Sequence, residues 1–157
     1  TQMICKGTAK LITNASPIPG MPDNMAWLGR GNLGGSNGLP ICIVIMLLLF
    51  LLFAFILKKT RFGRNTYAVG GNREAAYFAG INVKKHLTMV FTLTGFLASF
   101  GGIVLLSRLN SAAITNGNLY EFYTMISCVI GGVSMSGGKG KIWQAFLGAM
   151  FLTLFFN

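Results

Sequence analysis

Two stretches without a single charged residue constrain what this chain can become. Pro40–Leu57 runs for 18 residues and Leu87–Ser107 for 21. At 1.5 Å per residue the first would make a helix of about 27 Å, close to the roughly 30 Å hydrocarbon core of a bilayer. Inside lipid a single segment must satisfy its own backbone hydrogen bonds, which only a helix does. The rest of the composition agrees: 53% of residues are hydrophobic and 10% charged, where a soluble domain carries about 25% charged residues. A soluble fold of 157 residues cannot hide that much apolar surface. The expected fold is all-α, a polytopic transmembrane helix bundle in contact with membrane lipid. It is read as one domain over residues 1–157.

Charge sets the orientation. The formal net charge of +10 could suggest a nucleic-acid partner, but the cations sit at the ends of the apolar runs, as the positive-inside rule predicts. No nucleic-acid partner is expected. Residues 58–86 hold seven of the 13 Lys and Arg residues, so this loop and residues 139–141 are placed inside. Residues 14–38 and 109–118 are placed outside. The chain starts at Thr1 and stops within the apolar run Ile142–Phe156, which is too short to span. Both ends are expected to be cut.

Within the basic loop, residues 72–80 read as one short helix. Asn72 can cap the free amides of the first turn, and Gly80 suits the left-handed residue just past a helix end. Ala75, Ala76 and Ala79 keep it slim, while Tyr77 and Phe78 supply aromatic anchors. Such a helix suits a groove in a partner or a place on the membrane surface. Sequence chemistry alone leaves both open.

Residues 14–38 contain Pro17, Pro19, Pro22 and six glycines, which predict a loop without regular structure. Gly29–Gly34 matches G-x-G-x-x-G, but no buried strand precedes it and no ribose-binding acid follows at the needed spacing. Asn14-Ala15-Ser16 is a formal sequon of a kind that arises often by chance. Before them, residues 1–13 look like the tail of a helix, with Lys6 and Lys10 on one face. In the return span, Gly95, Ala98, Ser99, Gly101 and Gly102 permit close helix packing, which predicts an interior position.

The apolar run from Tyr120 to Ser136 leads into Gly131-Gly132-Val133-Ser134-Met135-Ser136-Gly137-Gly138-Lys139-Gly140-Lys141. The register is wrong for a P-loop, because Val133 stands six before Lys139 and Gly140 follows it. What the glycines permit is close backbone approach, or unwound chain lining a cavity; a plain turn is the alternative. Glu121 is an acid in an apolar run, a place where acids usually serve a substrate path or a structural pair. Candidate translocation-path or gating residues are therefore Glu121, Gly131, Gly132, Ser134, Gly137 and Gly138. No catalytic arrangement or metal site can be drawn from the one His and three acids, and no cofactor is expected. Cys5, Cys42 and Cys128 have no metal-ligand spacing and read as small apolar residues.

Three strings carry a family likeness: TRFGRNTYAVGGNREAAYFAGINVKK (60–85), ASFGGIVLLSRLNSA (98–112) and VIGGVSMSGGKGKI (129–142). LITNASPIPGMP (11–22) is a weaker match, with Ala15 where the family has Gly. Together they resemble the permease subunit of bacterial ABC importers for monosaccharides, the ribose, xylose and galactose type. That resemblance implies a multi-pass protein of the bacterial plasma membrane. It implies a second permease subunit, the same or different, cytoplasmic ATPase subunits that bind the ATP, and a periplasmic or lipid-anchored sugar-binding protein. It also implies that the loop holding Gly70, Gly71, Asn72, Glu74, Ala75, Ala76, Gly80 and Ile81 contains the coupling helix seated on the ATPase, with Phe78 among its anchors. One position departs: Tyr123 stands where the family often has Asp, so a role carried by that acid is absent. The expected function is a non-enzymatic transport subunit for a monosaccharide. The alternatives are a permease for a nucleoside, autoinducer or branched-chain amino acid, and a membrane scaffold that moves nothing.

Overall fold

A computed structural model of the chain describes residues 2–14, 16–20, 23–33 and 38–156, with the side chains of Gln2 and residues 23–25 excepted. Ala15 of the sequon and Gly34 of the glycine motif lie outside the described residues. The described chain is all-α, with eight helices: α1 (Gln2–Thr13), α2 (Asp23–Arg30), α3 (Ile41–Lys59), α4 (Arg61–Gly71), α5 (Arg73–Phe78), α6 (Val83–Leu109), α7 (Tyr120–Ile130) and α8 (Ile142–Phe156). Four two-residue strands join them: β1 (Ile18–Pro19), β2 (Asn32–Leu33), β3 (Leu39–Pro40) and β4 (Ser111–Ala112). Among the described residues, helices α3 and α6 are long and apolar enough to cross a membrane, with mean hydropathies of 3.1 and 2.0.

The chain forms two compact units, one of residues 1–47 and 96–118, the other of residues 48–95 and 119–157. The boundaries fall partway along α3 and α6. Both loops that charge places outside belong to the first unit, and both basic stretches placed inside belong to the second.

In the first unit, β1 pairs antiparallel with β4, Ile18 opposite Ala112 and Pro19 opposite Ser111, so the two loops placed outside are joined by backbone hydrogen bonds. A second bridge sets Asn32 opposite Pro40 and Leu33 opposite Leu39. Pro40 therefore closes a bridge and α3 starts one residue later, a small correction to its expected place in the first helical turn. A larger correction is α2, a regular helix inside the stretch read as loop. Its Gly29 amide donates to Ser107 Oγ at 2.8 Å, and Ser107 is wholly buried. Only a glycine allows this approach, since a Cβ at position 29 would stand 2.6 Å from Ser107 Oγ. Tertiary contact, invisible to local propensity, makes the helix. On α1, Lys6 Nζ donates to Asn118 Oδ1 at 2.7 Å, while Lys10 is exposed.

In the second unit α7 and α8 form a close hairpin. A Cβ on Gly148 would strike the Ser127 carbonyl, and one on Gly131 the Gln144 carbonyl, so the backbones meet without side chains between them. Phe50 of α3 packs on α8 through Trp143, with ring centroids at 4.6 Å, edge to face, and through Phe146 at 5.0 Å. Within the apolar run from Tyr120, α7 stops at Ile130 and Gly131 ends it, so the glycine-rich string that follows is non-helical, as its turn reading expected.

The basic loop holds a further correction. Ahead of the short helix stands α4, which sequence reading missed because Gly63, Gly70 and Gly71 argue against a helix. Thr60 starts it, its hydroxyl accepting from the Gly63 amide at 3.3 Å. Burial of Gly63 and Val69 holds it. From α6, His86 meets it: Nε2 lies 3.0 Å from Thr66 Oγ1 and the ring packs at 5.0 Å from Phe62. This buried His86 is a packing residue. Helix α6 also starts earlier than its uncharged run, at Val83, because Asn82 Oδ1 accepts from the Lys85 amide at 3.0 Å.

Gly101 and Gly102 do not have the packed surroundings expected of them. No other described element lies within 4 Å of where a Cβ would stand at either position, and α6 buries almost none of its apolar length.

Candidate functional site

Helix α5 forms where the capping residues dictate. Asn72 is extended (φ −154°, ψ 113°) and its Oδ1 accepts from the Ala75 amide at 3.0 Å. Glu74 sits in the first turn, where a carboxylate complements the helix dipole. At the other end Gly80 takes φ +80°. Its amide donates to the Tyr77 carbonyl at 2.9 Å, and the Ile81 amide to the Ala76 carbonyl at 3.0 Å. This paired closure requires a left-handed residue, hence glycine. Both ends of a six-residue helix are thus satisfied within 72–81.

The caps fix which side chains face out. Ala76 is buried and holds α5 against the unit. Phe78 is 85% exposed and Tyr77 69%, with Glu74 and Ala75 also exposed. An open groove of about 700 Å³ beside the helix is lined by Tyr77, Gly80, Ile81, Lys84 and Leu87 among others. A large exposed aromatic pair on a rigid, capped turn has the chemistry of a protein-docking anchor.

The glycine-rich string lies against the root of this helix. Gly137 and Gly138 pass over Gly70 and Gly71 at backbone distance: a Cβ on Gly138 would stand 2.6 Å from Gly71 Cα, and one on Gly70 2.6 Å from Gly138 N. Gly138 has φ +71°, so it needs glycine for conformation and for space. Tyr67 adds a tether, its hydroxyl donating to the Gly140 carbonyl at 2.8 Å. Ser134 shapes the loop through its backbone, its amide donating to the Lys139 carbonyl at 3.1 Å and its carbonyl accepting from Gly137. Gly71, assigned to coupling, therefore touches Gly138, assigned to the path. Nothing in the local sequence announces that contact, because the partners lie about seventy residues apart.

The remaining path candidates do not gather there. Gly131 and Gly132 end α7, while Glu121 stands half-buried in its first turn, about 15 Å away along the axis. Tyr123, the departure from the family pattern, packs on Phe156 with centroids at 5.3 Å, a contact an Asp could not make.

Residues 4–157 match the protein family described as branched-chain amino acid transport system / permease component. The chain belongs to this permease family. It is 42% identical over 154 residues to the probable ABC transporter permease protein YphD of Escherichia coli K12, covering 97% of this chain and 45% of that one. The ribose import permease protein RbsC of Bacillus subtilis 168 is 37% identical over 154 residues, covering 97% and 47%. The L-arabinose transport system permease protein AraH of E. coli K12 is 36% identical over 152 residues, covering 97% and 45%. The chain thus spans about half the length of the curated relatives it matches. No solved structure matches it.

Within this permease family setting, sequence reading found α5 and its caps. It missed the clamp of Gly70 on Gly138, the Tyr67 tether and the Asn82 cap. Of these only the Asn82 cap had a local signal, an Asn one residue before a helix.

Proposed function

We propose that this chain forms part of the translocation path of an ATP-driven importer for a monosaccharide in the bacterial plasma membrane, and that α5 seats on a separate ATPase subunit. The carrying observation is the doubly capped helix that presents Tyr77 and Phe78 from the basic loop between α3 and α6. Sugar is favoured as cargo because relatives named for ribose and arabinose cover 96% or more of the chain. The complete importer would include a second permease subunit and an external sugar-binding protein. The ATPase would bind the nucleotide, and this chain would carry no cofactor. ATP-driven closure of the ATPase would push α5, and the Gly70–Gly138 contact would pass that displacement to the α7–α8 hairpin, shifting the bundle between two access states.

The test is made in the full-length importer. An anchoring aromatic contributes about 2 kcal/mol or more to a docked interface, so Phe78→Ala, and likewise Glu74→Lys, should lower ATPase co-purification by about tenfold or more. Sugar uptake should fall in step, while membrane insertion is unchanged. Ala76→Asp is a poor probe, since Ala76 is buried and its loss would unfold the helix itself. Normal uptake and normal co-purification in both variants would refute the coupling role. Branched-chain amino acid as cargo, the reading favoured by the family's description, is separated by competing labelled ribose uptake with leucine.

A further inference from the structure

Besides the groove at α5, the second unit holds a cavity of about 600 Å³ where α3 ends, bounded by α4 and the start of α8. The apolar part of its lining comes from Ala54, Leu57, Ile142 and Trp143. The same lining carries three cations, Lys58, Arg64 and Lys141. All three are exposed, and none has an ion pair among the described residues. Among the described residues no acid lines the cavity. Three positive charges therefore share one cavity lining that holds no counter-ion.

We propose that this cavity binds the headgroup of an anionic phospholipid from the cytoplasmic leaflet. The shared chemistry is a phosphate monoanion or diester, and the wall selects its lipid-borne form. Lys58 closes the long apolar helix α3, so it lies at the depth of the membrane boundary, where lipid phosphates are found. Arg64 offers a planar fork suited to two phosphate oxygens, and the lysines supply point charges. Trp143 is 56% exposed while its ring is held edge-on by Phe50. An indole in that setting is an interfacial anchor, apolar body toward the acyl chain and N–H toward the headgroup. Basic pockets at the cytoplasmic ends of spanning helices select anionic lipid because that leaflet carries negative charge. A soluble phosphate would gain from the three cations but would leave the wall of Ala54, Leu57 and Ile142 facing water.

The experiment uses the full-length permease in detergent, with native mass spectrometry of retained lipid after exposure to phosphatidylglycerol or phosphatidylcholine. Wild type should retain phosphatidylglycerol selectively. Lys58→Ala, Arg64→Gln and Lys141→Ala combined should weaken that retention by about tenfold or more, and Arg64→Gln alone should weaken it measurably. A control combining Lys84→Ala with Lys85→Ala, two cations outside the cavity, should bind as wild type does. Melting temperature read on each variant separates lost binding from lost folding, and the milder Arg64→Gln carries the test should the triple variant unfold. Equal retention by wild type and folded variants would overturn the proposal. So would displacement of the lipid by inorganic phosphate at equal concentration, or a photo-crosslinker placed at Lys141 that captures polypeptide rather than lipid. None of these readouts depends on which solute is transported.

Discussion

Two parts of the molecule use glycine in opposite ways. In α6, Gly101 and Gly102 face open space, and the most apolar stretch of the helix buries none of its residues. Around the basic loop, Gly70, Gly71, Gly137 and Gly138 are pressed backbone to backbone. Gly101 and Gly102 have the composition of a packing surface with no described neighbour at their open side, and the second region has its partner in place. The difference shows that small residues report the capacity for close approach, while topology decides whether the approach is made within the chain. It also shows that the basic segment is held by local caps and by a clamp on the distant glycine-rich loop, and that the long helices leave most of their apolar faces for lipid or other helices.

The contrast can be broken most sharply at Gly138. An L-residue at φ +71° carries a strain of about 1–2 kcal/mol, and its Cβ meets backbone that cannot give way, adding about 1–3 kcal/mol. Gly138→Ala should therefore lower stability by about 3 kcal/mol, read as the midpoint of denaturant unfolding in micelles. A change under about 1 kcal/mol would mean the clamp is loose. Asn72→Ala comes next: losing the cap should cost about 1 kcal/mol, confined to residues 73–78, and hydrogen exchange on those amides should speed up while α3 stays protected. In the other region, Gly101→Ala meets no described neighbour and should raise helix stability by about 0.5 kcal/mol. A loss of more than about 1 kcal/mol in the complete protein would place a packed helix on that face. Smallest of all, Phe78→Ala should stay within about 0.5 kcal/mol of wild type in unfolding measurements, since the ring is 85% exposed. Under the proposed coupling role, its effect is expected in ATPase co-purification instead.

The two spanning helices were legible because the absence of charge over 18 and 21 residues leaves few physical alternatives. The ends of α5 were legible for a different reason: Asn72 and Gly80 act on atoms within three or four residues, and local chemistry is written locally. Helix α4 was not legible. Its glycines oppose helix formation, and what overrides them is Thr60 at the start and burial of Gly63 and Val69. Helix α2 was hidden likewise, since its Gly29 gains its place from Ser107, far along the chain. The site was half visible. Gly137 and Gly138 stood out as residues that could admit a close neighbour, yet no period or spacing says that Gly70 and Gly138 admit each other.

The backbone clamp has a mechanical meaning. Side-chain contacts absorb small displacements by changing rotamer, as springs with several rest lengths. Gly70 and Gly138 have no rotamers, so the contact between them has no slack. A shift of α4 by a fraction of an ångström must move the 137–140 loop by a similar amount or open the contact altogether. In the coupling role proposed above, stiffness at that one point would decide whether motion arriving at α5 is transmitted or dissipated.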